Sequence, residues 1–286
     1  MTINSPLKQQ QNNNIDKKTV EAFDDQWRVF QSRQGDLTEQ KYLFDRFFSI
    51  FPDEFLNKDN QGFEIGCGTG RFAQFVVPEV KHMTCVDISP TAIKAAKETL
   101  KQHENVTFVN SSVSDLKIAE ESMDFGYSYG VLHHIPDTRQ GIADCAKLLK
   151  PGAPFLIYMY YRFDNRPFWF KAIWWLSNFI RLAVCALPVK MRHGVCDILA
   201  ATLYWPLARS AKLLDKLGMK ATNFPLWDFR NTSFRRMRNN CRDRFGTPLE
   251  QRFTRKEMQE MLEHAGFANI SFREGAPYWC AVGYKK

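Results

Sequence analysis

Gly66, Gly68 and Gly70 stand on alternate positions in FEIGCGTGRF, residues 63–72, directly after an apolar run. Residues without Cβ atoms let a chain turn sharply and let a ligand lie against its backbone. A helix opening after Gly70 would add free N–H groups. Glu64, inside the run, can accept hydrogen bonds from a cationic ligand group or brace the loop. Asp87 follows 17 residues after Gly70, at the end of a second apolar run, where a carboxylate can accept both hydroxyls of a ribose. The set reads as a site for a nucleoside-bearing cofactor. Arg71 stands where the dinucleotide fingerprint GxGxxG wants its third glycine, which disfavours a pyrophosphate.

Other residues could act on an acceptor. His133 and His134 are candidate general bases, His134 first, since imidazole titrates near neutral pH. The alternative is a structural turn, with one histidine packing and the other capping. Tyr158, Tyr160 and Arg162 leave an apolar run at the same edge. Alternation would put both tyrosines on one face, as core or as substrate wall, and Arg162 can meet an anionic group. Phe23, Trp27 and Phe30 repeat at helical spacing, so Trp27 can face the site from a lid helix or simply pack it down. Residues 230–256 hold nine basic and two acidic side chains. Arg235 and Arg236 from this run are candidates for binding phosphate, diphosphate or carboxylate, whose oxygens suit the guanidinium fork.

Positioning these groups requires an alternation of strands and helices. GFEIG, MTCVDI, VTFVNS, DFGYSYGV and PFLIYMYY read as five strands. RFAQFVV, TAIKAAKETLKQH and GIADCAKLLK read as helices between them, the second capped by Ser89 with Pro90 at its first position. Thr254 and Glu257 form a capping-box pattern before a last helix, and two strands close the chain. The fold class is therefore α/β, a mostly parallel sheet with helices on both faces.

The pieces FEIGCGTGRF, CVDIS, YSYGVLHHIPD and LKPGAPFLIYMYY together resemble the class I S-adenosylmethionine-dependent methyltransferase family, in its small-molecule, type 11/12-like branch. The resemblance covers about residues 60–162 and returns over 254–286. It implies a Rossmann-like sheet of seven strands with the last antiparallel, and S-adenosyl-L-methionine as cofactor. Gly66, Cys67, Gly68 and Gly70 would wrap its methionine part. Asp87 would hold the ribose, and Ile88 would lie against the adenine. Ser112, beside Val113, takes the position where the family often carries an adenine-binding Asp. Tyr129 and Gly130 would border the methionine end. No metal is implied.

The implied organisation is a disordered polar tail over 1–18, a helical lid over 19–60 and the core over 61–161. A helical insertion over 162–253 follows, and 254–286 completes the core. The insertion differs in kind from the rest. Of the net charge of +8, residues 162–256 contribute +13, from 19 basic and 6 acidic side chains, and they hold five of the seven tryptophans. Lys171, Asn178 and Arg181 fall on one stripe of an otherwise aromatic helix, which suits a buried cap or an interfacial helix. Its uncharged run is too short to span a bilayer, which needs about 20 residues.

The expected activity is methyl transfer to a hydroxyl, ahead of an amine, of a small, glycan or lipid-linked anionic acceptor. Peripheral membrane contact through 166–216 is compatible with it. Two other readings stay open. One is an RNA or other nucleic-acid methyltransferase, which the basic charge invites but YGVLHHIP does not support, lacking the Asn/Asp-Pro-Pro-aromatic loop of base-amine enzymes. The other is a cofactor-binding, membrane-peripheral protein without activity. Seven cysteines without a CxxC pair signal neither zinc nor a disulfide framework. With no apolar leader, the expected location is cytoplasmic.

Overall fold

A computed structural model describes residues 14–30, 36–219, 222–276 and 278–286. Two helices, α1 (Lys17–Phe30) and α2 (Leu37–Phe48), precede the sheet. Strand β1 (Gln61–Ile65) leads through a short α3 (Ala73–Val76) to β2 (His82–Asp87), then α4 (Pro90–Thr99) and β3 (Val106–Asn110). β4 (Phe125–Tyr129), α5 (Thr138–Leu148) and β5 (Pro154–Tyr158) follow. The insertion supplies α6 (Phe168–Cys185), α7 (Val189–Leu199), α8 (Trp205–Lys216) and α9 (Phe234–Gly246). The chain then returns as α10 (Arg255–His264), β6 (Phe267–Phe272) and β7 (Cys280–Lys285).

The seven strands lie in the order β3-β2-β1-β4-β5-β7-β6. The first five are parallel, and β7 runs antiparallel between β5 and β6. This is the expected fold class. The order reverses at β1, so the carboxyl ends of β1, β2 and β4 open a crevice there. Side chains alternate through the central strands, and each face carries its own core. Phe63 and Phe155 meet Ile142 of α5 and Leu262 of α10 on one face. Phe125 and Tyr127 meet Phe47 and Phe48 of α2 on the other. A sheet buried on both faces reads as near-continuous apolar runs, which is how these strands appear in the sequence.

The helix starts follow their caps. The Ser89 hydroxyl accepts from the Ala92 amide at 3.1 Å, and Thr254 with Glu257 closes a reciprocal capping box. α1 begins at Lys17, inside the stretch expected as tail, and the Asn14 amide group is already bonded to the backbone of Asp137. The rest of the expected tail, residues 1–13, and the side chain of Phe30 lie outside the described residues.

The insertion folds around α9. Met237, Cys241 and Phe245 of α9 pack with Val184 of α6, Cys196 of α7 and Ala208 of α8. Ion pairs tie the same helices. Arg242 grips Asp197 of α7 through two bonds of 3.0 and 2.8 Å. Arg244 and Arg252 both meet buried Glu250 at 2.8 Å. Arg181, expected on one stripe of this helix with Lys171 and Asn178, is buried and donates to the carbonyls of Thr247 and Pro248. Much of the basic run is thus structural.

Candidate functional site

The glycine loop hangs from the end of β2. The amides of Gly66 and Cys67 both donate to the Val86 carbonyl, at 2.8 and 2.9 Å. Gly66 has a φ of +73°, and a Cβ there would lie 2.2 Å from Val131. Gly68 has a φ of +54° and sits under the Trp27 ring, 3.2 Å from where its Cβ would be. Both positions therefore need glycine for backbone conformation and for space. Asp87 lies beneath the loop. Its two carboxylate oxygens accept from the amides of Gly68 and Ser89, each at 2.8 Å. A carboxylate has about four acceptor positions, so these two amides do not exhaust it.

Burial pushes Asp87 up to about 6, against those two amide bonds. Burial pushes Glu64 further, to about 8, although the Tyr127 hydroxyl donates to it at 3.1 Å and Arg71 favours its charge. Glu64 lies buried beside the loop, held by Tyr127. Tyr127, held by it, was not singled out in the sequence because it reads as one more aromatic in a core strand.

α1 lies across this edge. Beyond the Trp27 contact, Asp24 accepts from the Ser89 hydroxyl at 2.6 Å. Gln26 donates to Asp243 of α9 at 2.6 Å, and Thr19 accepts from the Leu249 amide at 3.0 Å. α1 thus bridges the sheet edge and the insertion.

Between sheet edge and insertion lies a cavity of about 1410 Å³. The ends of β4 and β5 contribute Tyr129, Gly130, Tyr158 and Tyr160. Tyr129 stacks on Tyr158 with ring centres 4.8 Å apart. Gly130 has nothing within 4 Å of where its Cβ would stand, so the strand end faces open space. The insertion contributes an apolar wall that includes Phe170, Trp174 and Leu207, and a polar one with Arg235, Arg236 and Asp243. Arg71 and Trp27 complete the rim.

The polar groups divide by role. Neither Arg71 nor Arg236 has a carboxylate within ion-pair distance among the described residues. Burial lowers the pKa of Arg236, with Tyr129 pulling the other way. Asp243 is pushed up by burial, with the Gln26 bond and Arg71 opposing. A carboxyl raised in this way is a better proton acceptor than a solvated one. Asp243 was missed in the sequence, since a lone acid among arginines reads as charge balance.

The candidate bases His133 and His134 do not line the cavity. His133 is fully buried with both ring nitrogens unpartnered, and burial lowers its pKa well below the ordinary value. His134 bonds the Leu249 carbonyl at 2.7 Å through Nδ1, and burial takes it to about 4 despite that bond. Both pack against Tyr160, where the structural-turn alternative had one ring packing and the other capping. Arg162 is also elsewhere. It is exposed and pairs with Glu257 at 2.8 Å, fastening the end of β5 to the cap of α10. Ile88, Ser112 and Val113 lie on the loops after β2 and β3, outside the cavity wall. The Ile88 carbonyl accepts from Asn110 at 2.9 Å, and the Ser112 hydroxyl donates to Asp115 at 3.3 Å.

The sequence and the fold were compared with known proteins. Residues 63–157 match the profile of a family described as a methyltransferase domain. A ubiquinone biosynthesis O-methyltransferase of Coxiella burnetii is 24% identical over 140 residues, covering 49% of this chain and 60% of the relative. An O-methyltransferase of Aspergillus nomiae is 30% identical over 98 residues, covering 33% of this chain and 44% of the relative. The chain thus spans less than two thirds of these relatives. Among solved structures, one described as a methyltransferase of Thermotoga maritima, a possible histamine N-methyltransferase, aligns with a TM-score of 0.50 at 14% identity. It covers 94% of this chain and all of that one, and it shows the shared fold.

Proposed function

We propose that this chain, whose core belongs to the class I S-adenosylmethionine-dependent methyltransferases, methylates a hydroxyl of an amphiphilic, anionic small molecule. The observation that carries this is the cavity. It joins the strand ends beside the glycine loop to a wall that is aromatic at one end and arginine-bearing at the other. A cavity of that kind suits a molecule with an apolar body and one anionic group. The O-methyltransferases matched over the core support a hydroxyl acceptor ahead of an amine.

The core's residues fit the cofactor. Gly66 and Gly68 hold left-handed turns, Asp87 keeps free acceptor positions beneath them, and Gly130 faces open space at the end of β4. Asp87 would hold the ribose, and Tyr129 and Gly130 would border the methionine end. When bound, S-adenosylmethionine supplies an electrophilic methyl group. The chain's contribution is alignment, which can supply about 7–11 kcal/mol of such a barrier. On the acceptor side, Arg236 and Arg71 bind the anionic group, and Tyr158 and Tyr160 flank the body. Asp243 receives the hydroxyl proton. Trp27 closes the edge of the site against water.

The test is transfer of labelled methyl from S-adenosylmethionine to a panel of amphiphilic phenols and alcohols, each with and without a phosphate or carboxylate. Turnover confined to the anionic members, and lost in Asp87→Ala, supports the reading. Equal turnover of neutral members, or transfer to RNA, would overturn it.

A further inference from the structure

α6 is apolar on both sides, yet only one side is covered. Arg181 and Val184 are buried against the rest of the insertion, while Phe170 and Trp174 line the cavity. On the other side Trp175, Leu176 and Phe179 are 61%, 62% and 52% exposed, with Phe168, Ile180 and Leu182 beside them. Met191 and Ile198 extend exposed apolar surface onto α7. A helix that is apolar all round is ordinarily buried, and a continuous exposed patch of this kind marks a docking surface.

The charges indicate what docks. Residues 165–196 contain no Asp or Glu. The acids at either end of this stretch are engaged, Asp164 by Trp279 and the Arg255 amide, and Asp197 by Arg242. Lys171 and Lys190, by contrast, stand exposed among the apolar side chains. Exposed Trp, Phe and Leu with interspersed lysines, and no acid in the same stretch of chain, complement an anionic lipid surface, where aromatic rings enter the headgroup layer and ammonium groups meet phosphates. No described helix is long and apolar enough to cross a membrane, so the surface would lie on the bilayer rather than in it.

We propose that the outer face of α6, continued by the start of α7, seats the protein on an anionic phospholipid bilayer. Because α6 also forms the apolar wall of the cavity, docking would bring the cavity's rim to the lipid surface. An amphiphilic acceptor could then enter from the bilayer without crossing water. That last step rests on the function proposed above; the docking does not.

The experiment is flotation of the full chain with vesicles of equal parts phosphatidylglycerol and phosphatidylcholine, and with vesicles of phosphatidylcholine alone. The wild type should float with the mixed vesicles and much less with the neutral ones, and added salt should release it. Trp175→Asp with Phe179→Asp should lower the bound fraction about tenfold, and Lys171→Glu with Lys190→Glu should abolish the preference for anionic lipid. Circular dichroism and S-adenosylmethionine affinity should stay unchanged in both variants. Failure of the wild type to float on either vesicle would overturn the proposal. So would unchanged flotation of the Asp variants. Self-association of the wild type that the Asp variants relieve, without vesicle binding, would assign the face to a second copy instead. Flotation without methyl transfer to any acceptor would keep the docking and sink the acceptor reading.

Discussion

The core and the insertion solve recognition in different ways. At the core edge, space is made by backbone: three left-handed glycines in one loop, two amides of that loop hung on one carbonyl, and a carboxylate held by two amides. In the insertion, space is made by side chains from helices far apart in sequence. Those helices are held by ion pairs such as Arg242 with Asp197 and Arg244 with Glu250. Specificity can therefore change in the insertion more readily than at the core edge. A backbone site tolerates few substitutions and suits an invariant cofactor, whereas a side-chain wall can be rebuilt for another acceptor while the sheet stays as it is.

Four substitutions probe this contrast. Asp243→Asn keeps an oxygen for Gln26 but removes the proton acceptor, so kcat should fall by about 10²–10⁴-fold with cofactor affinity unchanged. Steady-state kinetics checks it. Full activity in that variant, with loss in His134→Gln, would return the base to the histidine pair. Gly66→Ala should destabilise the core by about 3 kcal/mol, because it forces a left-handed residue and a clash with Val131. Thermal unfolding reads that loss, and an unchanged midpoint would mean the loop can relax. Arg236→Ala should raise KM for the anionic acceptor about tenfold or more, the worth of one charged hydrogen bond, with kcat less affected. An equal effect on neutral analogues would show packing rather than charge recognition.

The smallest effect concerns pH. Burial holds Glu64 at about 8 against an ordinary 4.5, so the folded chain binds that proton more tightly than the unfolded one. The resulting stability is full below about pH 4.5 and is lost as the pH rises through about 8. Glu64→Gln should flatten the fall in melting temperature across that window. An equally steep fall in the variant would place the titration elsewhere, Asp87 with its value of about 6 being the next group.

The same contrast explains what could be read from the sequence. GCGTG and the terminal Asp87 are local signals, because backbone conformation and strand ends are encoded within a few residues. The alternation of runs fixed the strands to within a few positions for the same reason. In the insertion, composition announced a distinct segment, but the roles of single residues depended on partners far along the chain. Arg242 and Arg244 became struts, while Arg236 and Asp243 came to line the cavity. The histidines illustrate the limit from the other side. VLHHI sits at the ligand edge by sequence, yet the turn after β4 folds both rings inward against Tyr160, a rotation that no local pattern specifies.

In the proposed division, the core holds the cofactor and the insertion holds the acceptor. Calorimetric titration of S-adenosylmethionine into the wild type, Asp87→Ala and Arg236→Ala tests it most directly. Asp87→Ala should lose about 100-fold or more in affinity, the worth of two hydrogen bonds to a charged group. Arg236→Ala should bind the cofactor as the wild type does. Undiminished binding in Asp87→Ala, or an equal loss in Arg236→Ala, would contradict the division.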